Sequence, residues 1–159
     1  MRDARIIVIG LLYVIFMVAG CPAWLHMKTW WMPLVHHFFH ANIFHLAVNC
    51  FSLWMLLRIK WPSSSLIAAF IFASLSWFCT KADPVGISNF LFAMVGISSP
   101  SIRHKWWRSS SAFIFFGVNI LLIFFSQVSA VTHLVSFFLG SLYAGMSRII
   151  NRLKHDIGA

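Results

Sequence analysis

Six apolar blocks, at about 6–24, 41–57, 64–80, 86–102, 112–128 and 130–147, follow one another along this chain with short polar breaks between them. A membrane-spanning helix needs roughly 17–25 mostly apolar residues, and each block meets or approaches that length. The pattern predicts an all-α polytopic membrane protein, a six-transmembrane-helix bundle forming a single domain over residues 1–159. The stretch from Pro22 to Phe39 is too polar and broken to span. It carries Trp24, Trp30 and Trp31 beside His26 and Lys28, which suits an outer interfacial loop with short helices. The apolar run after Arg2 and Arg5 has further blocks behind it and is read as a first transmembrane helix, not a cleaved signal.

The basic residues orient the blocks. Arg2, Arg5, Arg58, Lys60, Arg103, Lys105, Arg108, Arg148, Arg152 and Lys154 all fall on one side if six helices alternate, leaving only Lys28 and Lys81 on the other. That bias predicts cytoplasmic termini and a multi-pass protein of the cell membrane, the inner membrane in a Gram-negative bacterium. Composition agrees, with 60% hydrophobic and 9% charged residues. The net charge of +9 sits in small clusters between apolar blocks and forms no basic face for nucleic acid. Cys21, Cys50 and Cys79 have no metal-binding spacing, and Cys50 reads as packing.

Polar residues inside the blocks are the exceptions that call for a reason, because burying them in hydrocarbon is costly. Blocks two, four and six all run inward from the outer face. Their outer ends carry His40, His45 and Asn49 in "HANIFHLAVN", Ser88 in "PVGISNFLFAMVG", and His133 in "SAVTHLVSFFLG". His45 and Asn49 are four apart and share a helix face, with His40 off it. Below Ser88 at helical spacing come Phe92, Gly96 and Ser99, and below His133 come Ser136, Gly140 and Ala144. Small residues in such stripes let membrane helices approach closely. If the two stripes face each other, Ser88 meets His133.

A serine hydroxyl becomes an effective nucleophile when a neighbouring base takes its proton. The oxyanion formed on attack needs preorganised donors, which the Ser88 amide at a helix start, His45 and Asn49 can supply. The three acids, Asp3, Asp83 and Asp156, lie outside the blocks, so the expectation is a Ser–His dyad without an orienting carboxylate.

This constellation resembles the rhomboid family of intramembrane serine proteases over nearly the whole chain. Block two resembles the family's His-x3-His-x4-His-x3-Asn at His36, His40, His45 and Asn49. Block four is similar to Gly-x-Ser-Gly-x2-Tyr-x3-Gly at Gly86, Ser88, Asn89, Phe92 and Gly96. Block six is similar to Ala-His-x2-Gly-x3-Gly at Thr132, His133, Ser136 and Gly140. The resemblance implies Ser88 as nucleophile, His133 as base, His45 and Asn49 in the oxyanion site, a structural His40, and Phe92 packing on the histidine where the family has tyrosine. It implies a transmembrane protein substrate cut near the outer face, no cofactor, and block five as a lateral gate. The chain departs from the pattern at Asn89, where the family has glycine, and in a very short loop at about 127–129. Its small size is similar to the rhombosortase branch.

Two other readings stand beside this one. A rhomboid-like pseudoprotease would bind membrane clients without cutting them, and Asn89 is the residue that favours it. A metalloenzyme would use His36 and His40, four apart, but lacks carboxylate or cysteine partners to complete a ligand set. His37 reads as part of a solvated interfacial patch. The topology is checked by reporter fusions after Ala159 and within residues 25–35, which should report opposite sides of the membrane. The same side for both would remove the six-helix arrangement.

Overall fold

The computed structural model describes residues 2–19, 30–58, 61–80, 86–105 and 130–157. Among them every regular element is helical: α1 (Arg2–Ala19), α2 (Met32–Val35), α3 (Ile43–Leu56), α4 (Ser63–Ser76), α5 (Ser88–Lys105) and α6 (Ala130–Ile157). Single 3₁₀ turns cover His36–Phe38 and Trp77–Cys79. The all-α class therefore holds for the described residues. One of these helices, over Val131–Ile157, is long and apolar enough to cross a membrane, whereas Ile43–Leu56, Ser63–Cys79 and Ser88–Ser98 are apolar but shorter. Six full-length spans are not established by these lengths. Block five (112–128), the loop at 127–129 and Cys21 lie outside the described residues.

Local chemistry sets the helix ends. Asn42 caps α3, its side-chain oxygen accepting from the His45 amide at 2.9 Å, so the helix begins at Ile43 rather than at 41. At the other end the Trp61 indole N–H donates to the Leu56 carbonyl at 2.8 Å, and Pro62 then precedes α4 in an extended conformation. Helix α6 runs to Ile157, beyond the expected end at 147, because no glycine or proline interrupts residues 146–157. The broken stretch before α3 does contain short helices, α2 and the turn at His36–Phe38, as its composition suggested.

Helices α4 and α6 turn small residues inward and large ones outward. Along α4, Ser65, Ala68, Ala69, Ala73 and Ser76 are buried while Ile67, Ile71 and Leu75 are exposed. Along α6, Thr132, His133, Ser136, Gly140 and Ala144 face inward, and Leu134, Phe138, Leu142, Met146, Ile149 and Leu153 form an exposed apolar stripe. Leu12, Leu46, Leu53, Leu56, Leu91 and Met94 join α1, α3 and α5 in one apolar cluster.

Helices α5 and α6 lie parallel and in close contact. The pairs Ser88–His133 and Gly96–Ser141 are each separated by 45 residues, so the two helices stay in register over two turns. A Cβ on Gly96 would fall on the Phe137 carbonyl oxygen, and one on Gly140 would fall on the Ala93 carbonyl oxygen. Both obstacles are backbone, so neither can swing aside. Gly140→Ala is expected to force the helices apart and cost about 1–3 kcal/mol of stability, as overpacking does. Gly145→Ala, on the same helix with open space around it, should be neutral or slightly stabilising. Thermal melts of both variants in one detergent check this contrast.

Candidate functional site

The close α5–α6 contact brings the outer-end residues together. Ser88 Oγ and His133 Nε2 are 2.7 Å apart and hydrogen-bonded, and both residues are buried. With the imidazole proton on Nδ1, the Ser88 hydroxyl donates to Nε2, which is the tautomer a general base requires. Phe92, one turn along from Ser88, stacks on the His133 ring with centroids 4.4 Å apart and planes 9° from parallel. The stacking fixes the ring plane. His133 Nδ1 is buried with no partner among the described residues. Asp156 is exposed at the far end of α6, so no described carboxylate orients the ring.

Gly86 brings α3 into the site. Its φ of 103° is a conformation side chains rarely adopt. Space excludes a side chain as well. A Cβ built there would lie 2.8 Å from His45 Cε1, 2.9 Å from His45 Nε2 and 3.0 Å from Asn49 Nδ2. The His45 ring and the Asn49 amide therefore press on the backbone two residues before Ser88. Both side chains are buried, and Asn49 Nδ2 has no acceptor among the described residues. Ser88 itself is the first residue of α5, so its N–H belongs to the set of amides that a helix start leaves free. Two side chains thus lie against the backbone just ahead of the helix start that carries Ser88 and its bond to His133.

The remaining sequence-selected residues divide clearly. His40 is buried just ahead of α3 and meets His45 edge-on, with ring centroids 5.3 Å apart. Gly96 and Gly140 form the helix contact. Ser136 is fully buried, and its hydroxyl has no partner among the described residues. Asn89 is buried, and its side-chain oxygen likewise lacks a described partner. Residue Cys50 is half-buried against the apolar cluster.

One reading from sequence is corrected. His37 is not solvated: it is buried, and its Nε2 shares a hydrogen bond of 3.2 Å with Ser74 Oγ on α4. Its partner lies 37 positions away, so no local spacing carried the signal. His36 is also buried, its Nδ1–H donating to the Met32 carbonyl at 3.2 Å, while its own carbonyl accepts from the Gly86 amide at 3.0 Å. That backbone link between the His36 turn and the Gly86 loop was not visible in the sequence either. Among the described residues no group of three or more His, Cys, Asp or Glu is placed to hold a metal ion.

No protein-family model, no curated protein and no solved structure matches this chain.

Burial sets the pH response of the turn outside the helices. It holds the His36 imidazole down to about 4, and it holds His37 well below the usual 6.5 with His36 adding to the effect. Above pH 6.5 these rings are neutral in both folded and unfolded chains. Below it the unfolded chain takes up protons that the folded one refuses, so stability falls as pH drops from 6.5 towards about 4. Melting temperature in detergent should be flat above neutrality and decline across that window. A His37→Gln variant should show a shallower decline.

Proposed function

We propose that this chain is an intramembrane serine endopeptidase of the rhomboid kind, a multi-pass protein of the cell membrane with cytoplasmic termini. It cuts transmembrane protein substrates near the outer face with a Ser88–His133 dyad. The observation that carries this reading is the 2.7 Å contact between Ser88 Oγ and His133 Nε2, made by two residues 45 positions apart at the starts of parallel helices. The exposed apolar stripe on α6 and the small buried residues of α4 support a lipid surround, since that arrangement is unfavourable in water. The six-helix bundle belongs to the proposal, with α1 and the shorter apolar helices α3, α4 and α5 as the remaining described spans.

The chemistry runs as acyl transfer. Ser88 Oγ attacks the scissile carbonyl as His133 Nε2 takes its proton. The tetrahedral oxyanion is met by the Ser88 N–H and by donors from Asn49 Nδ2 and the His45 ring. Imidazolium His133 then passes its proton to the departing amine, leaving an acyl-enzyme that water cleaves with the same base. Phe92 holds the imidazole plane, the orienting part of what an acid does in triads, and makes no bond to Nδ1.

The pseudoprotease reading rests on Asn89, whose buried amide occupies the position after Ser88 where the family has glycine. The metal reading has less behind it, because among the described residues no group of three or more His, Cys, Asp or Glu is placed to complete a ligand set with His36 and His40. A fluorophosphonate probe separates the three. The protease reading expects labelling of the wild-type protein, abolished in Ser88→Ala and His133→Ala, with cleavage of a model transmembrane substrate insensitive to chelators. Asn49→Ala or His45→Ala should lower kcat by about 10²–10³ with less effect on KM, as loss of one oxyanion donor does. His40→Ala should chiefly lower Tm. A wild type that is silent while Asn89→Gly is labelled would mark a pseudoprotease, and chelator inhibition reversed by zinc would mark a metalloenzyme.

A further inference from the structure

The turn at His36–Phe38 is tied to the fold at one end and to the nucleophile's loop at the other. On the first side, His37 Nε2 and Ser74 Oγ share a buried hydrogen bond of 3.2 Å. The rings of His36 and His37 lie 3.8 Å apart, His36 packs on Trp77 at 4.9 Å, and His37 packs on Phe70 at 5.1 Å. Trp77 and Met32 form a small apolar cluster of their own beneath the turn, separate from the main core. Through these contacts the turn is held by the outer part of α4.

On the second side the same turn holds Gly86. The His36 carbonyl accepts from the Gly86 N–H at 3.0 Å, while the opposite face of Gly86 rests on His45 and Asn49. Gly86 is thus clamped from both directions in its positive-φ conformation, and α5 begins two residues later at Ser88. A shift of the turn moves Gly86 with it, and a shift of Gly86 moves Ser88 relative to His133 and the oxyanion donors.

Resting on the protease reading above, we infer that His37 and Ser74 are positioning residues for Ser88. Neither touches substrate. Their hydrogen bond fixes the His36 turn, whose carbonyl fixes Gly86, whose conformation sets the nucleophile. Displacements of a fraction of an ångström at an attacking atom are costly to rate, while substrate binding elsewhere is untouched. The effect therefore falls on kcat and not on KM.

Ser74→Ala removes the hydroxyl while favouring the helix, and Ser74→Thr keeps a hydroxyl at the same place. Each variant is assayed in detergent with a fluorogenic transmembrane peptide, and kcat is normalised to the fraction of Ser88 that a fluorophosphonate titrates. The expectation for Ser74→Ala is a fall in normalised kcat of about five- to tenfold, the scale of one lost hydrogen bond, with KM within about twofold. Ser74→Thr should stay within about twofold of wild type in both. A merely structural role would lower Tm and the titratable fraction but leave normalised kcat intact, and that result overturns the inference. So does Ser74→Thr falling as far as Ser74→Ala. A wild type that neither cleaves the peptide nor takes the probe overturns the protease reading instead, and this inference with it.

Discussion

Everything at the site depends on the approach of α5 to α6. At Gly96 and Gly140 each helix lies against the other's backbone carbonyls, at Phe137 and Ala93, with no room for a single added carbon. That contact sets both the distance and the register of the two helices. Once it is made, the starts of the helices are adjacent, and Ser88 and His133 fall into hydrogen-bonding range without further adjustment. In the lipid surround proposed here no hydrophobic drive would bring helices together, and close packing with interhelical hydrogen bonds would have to do it. The Ser141 hydroxyl adds to this, bonding the Phe137 carbonyl at 2.9 Å and reaching the Gly96 carbonyl at 3.4 Å across the interface.

The third helix is attached by a different device. α3 does not need to touch Ser88. Its His45 and Asn49 side chains lie against Gly86, two residues before Ser88, and they can do so only because that residue has no side chain and a positive φ. A glycine at this point is required twice, by conformation and by space. The cap at Asn42 fixes where α3 begins, which in turn fixes the rotational setting of His45 three residues later. The two asparagines of "HANIFHLAVN" therefore have separate tasks, one at the helix start and one at the site.

Several buried polar atoms at the site have no partner among the described residues: His133 Nδ1, Asn49 Nδ2, Asn89 Oδ1 and Ser136 Oγ. Unpaired polar groups are costly to bury, and further ones lie on His36, His37 and His40. The proposed chemistry gives Asn49 Nδ2 a use, since a donor held free in the resting protein is available to a charge that exists only during reaction. Asn89 and Ser136 occupy two of the five positions where the rhomboid patterns carry glycine, and both side chains are buried.

Much of this was legible in the chain itself. The all-helical class, the inward stripes of α5 and α6 and the pairing of Ser88 with His133 follow from apolar blocks, small residues at helical spacing and polar residues that hydrocarbon would otherwise reject. These signals are local, repeating every three or four residues, and a linear reading captures them. His45 and Asn49 were legible for the same reason, being four apart on one helix. The helix ends were less so: the Asn42 cap moved one start, and the absence of a stop signal carried α6 to Ile157. The burial of His37, its bond to Ser74 and the His36 carbonyl on the Gly86 amide were decided only by tertiary structure. The partners come from distant parts of the chain, through a 3₁₀ turn with no helical or strand period, and one partner is a backbone carbonyl that any residue supplies. Side-chain identity records what a position must be, but it does not record which distant atom will lie against it.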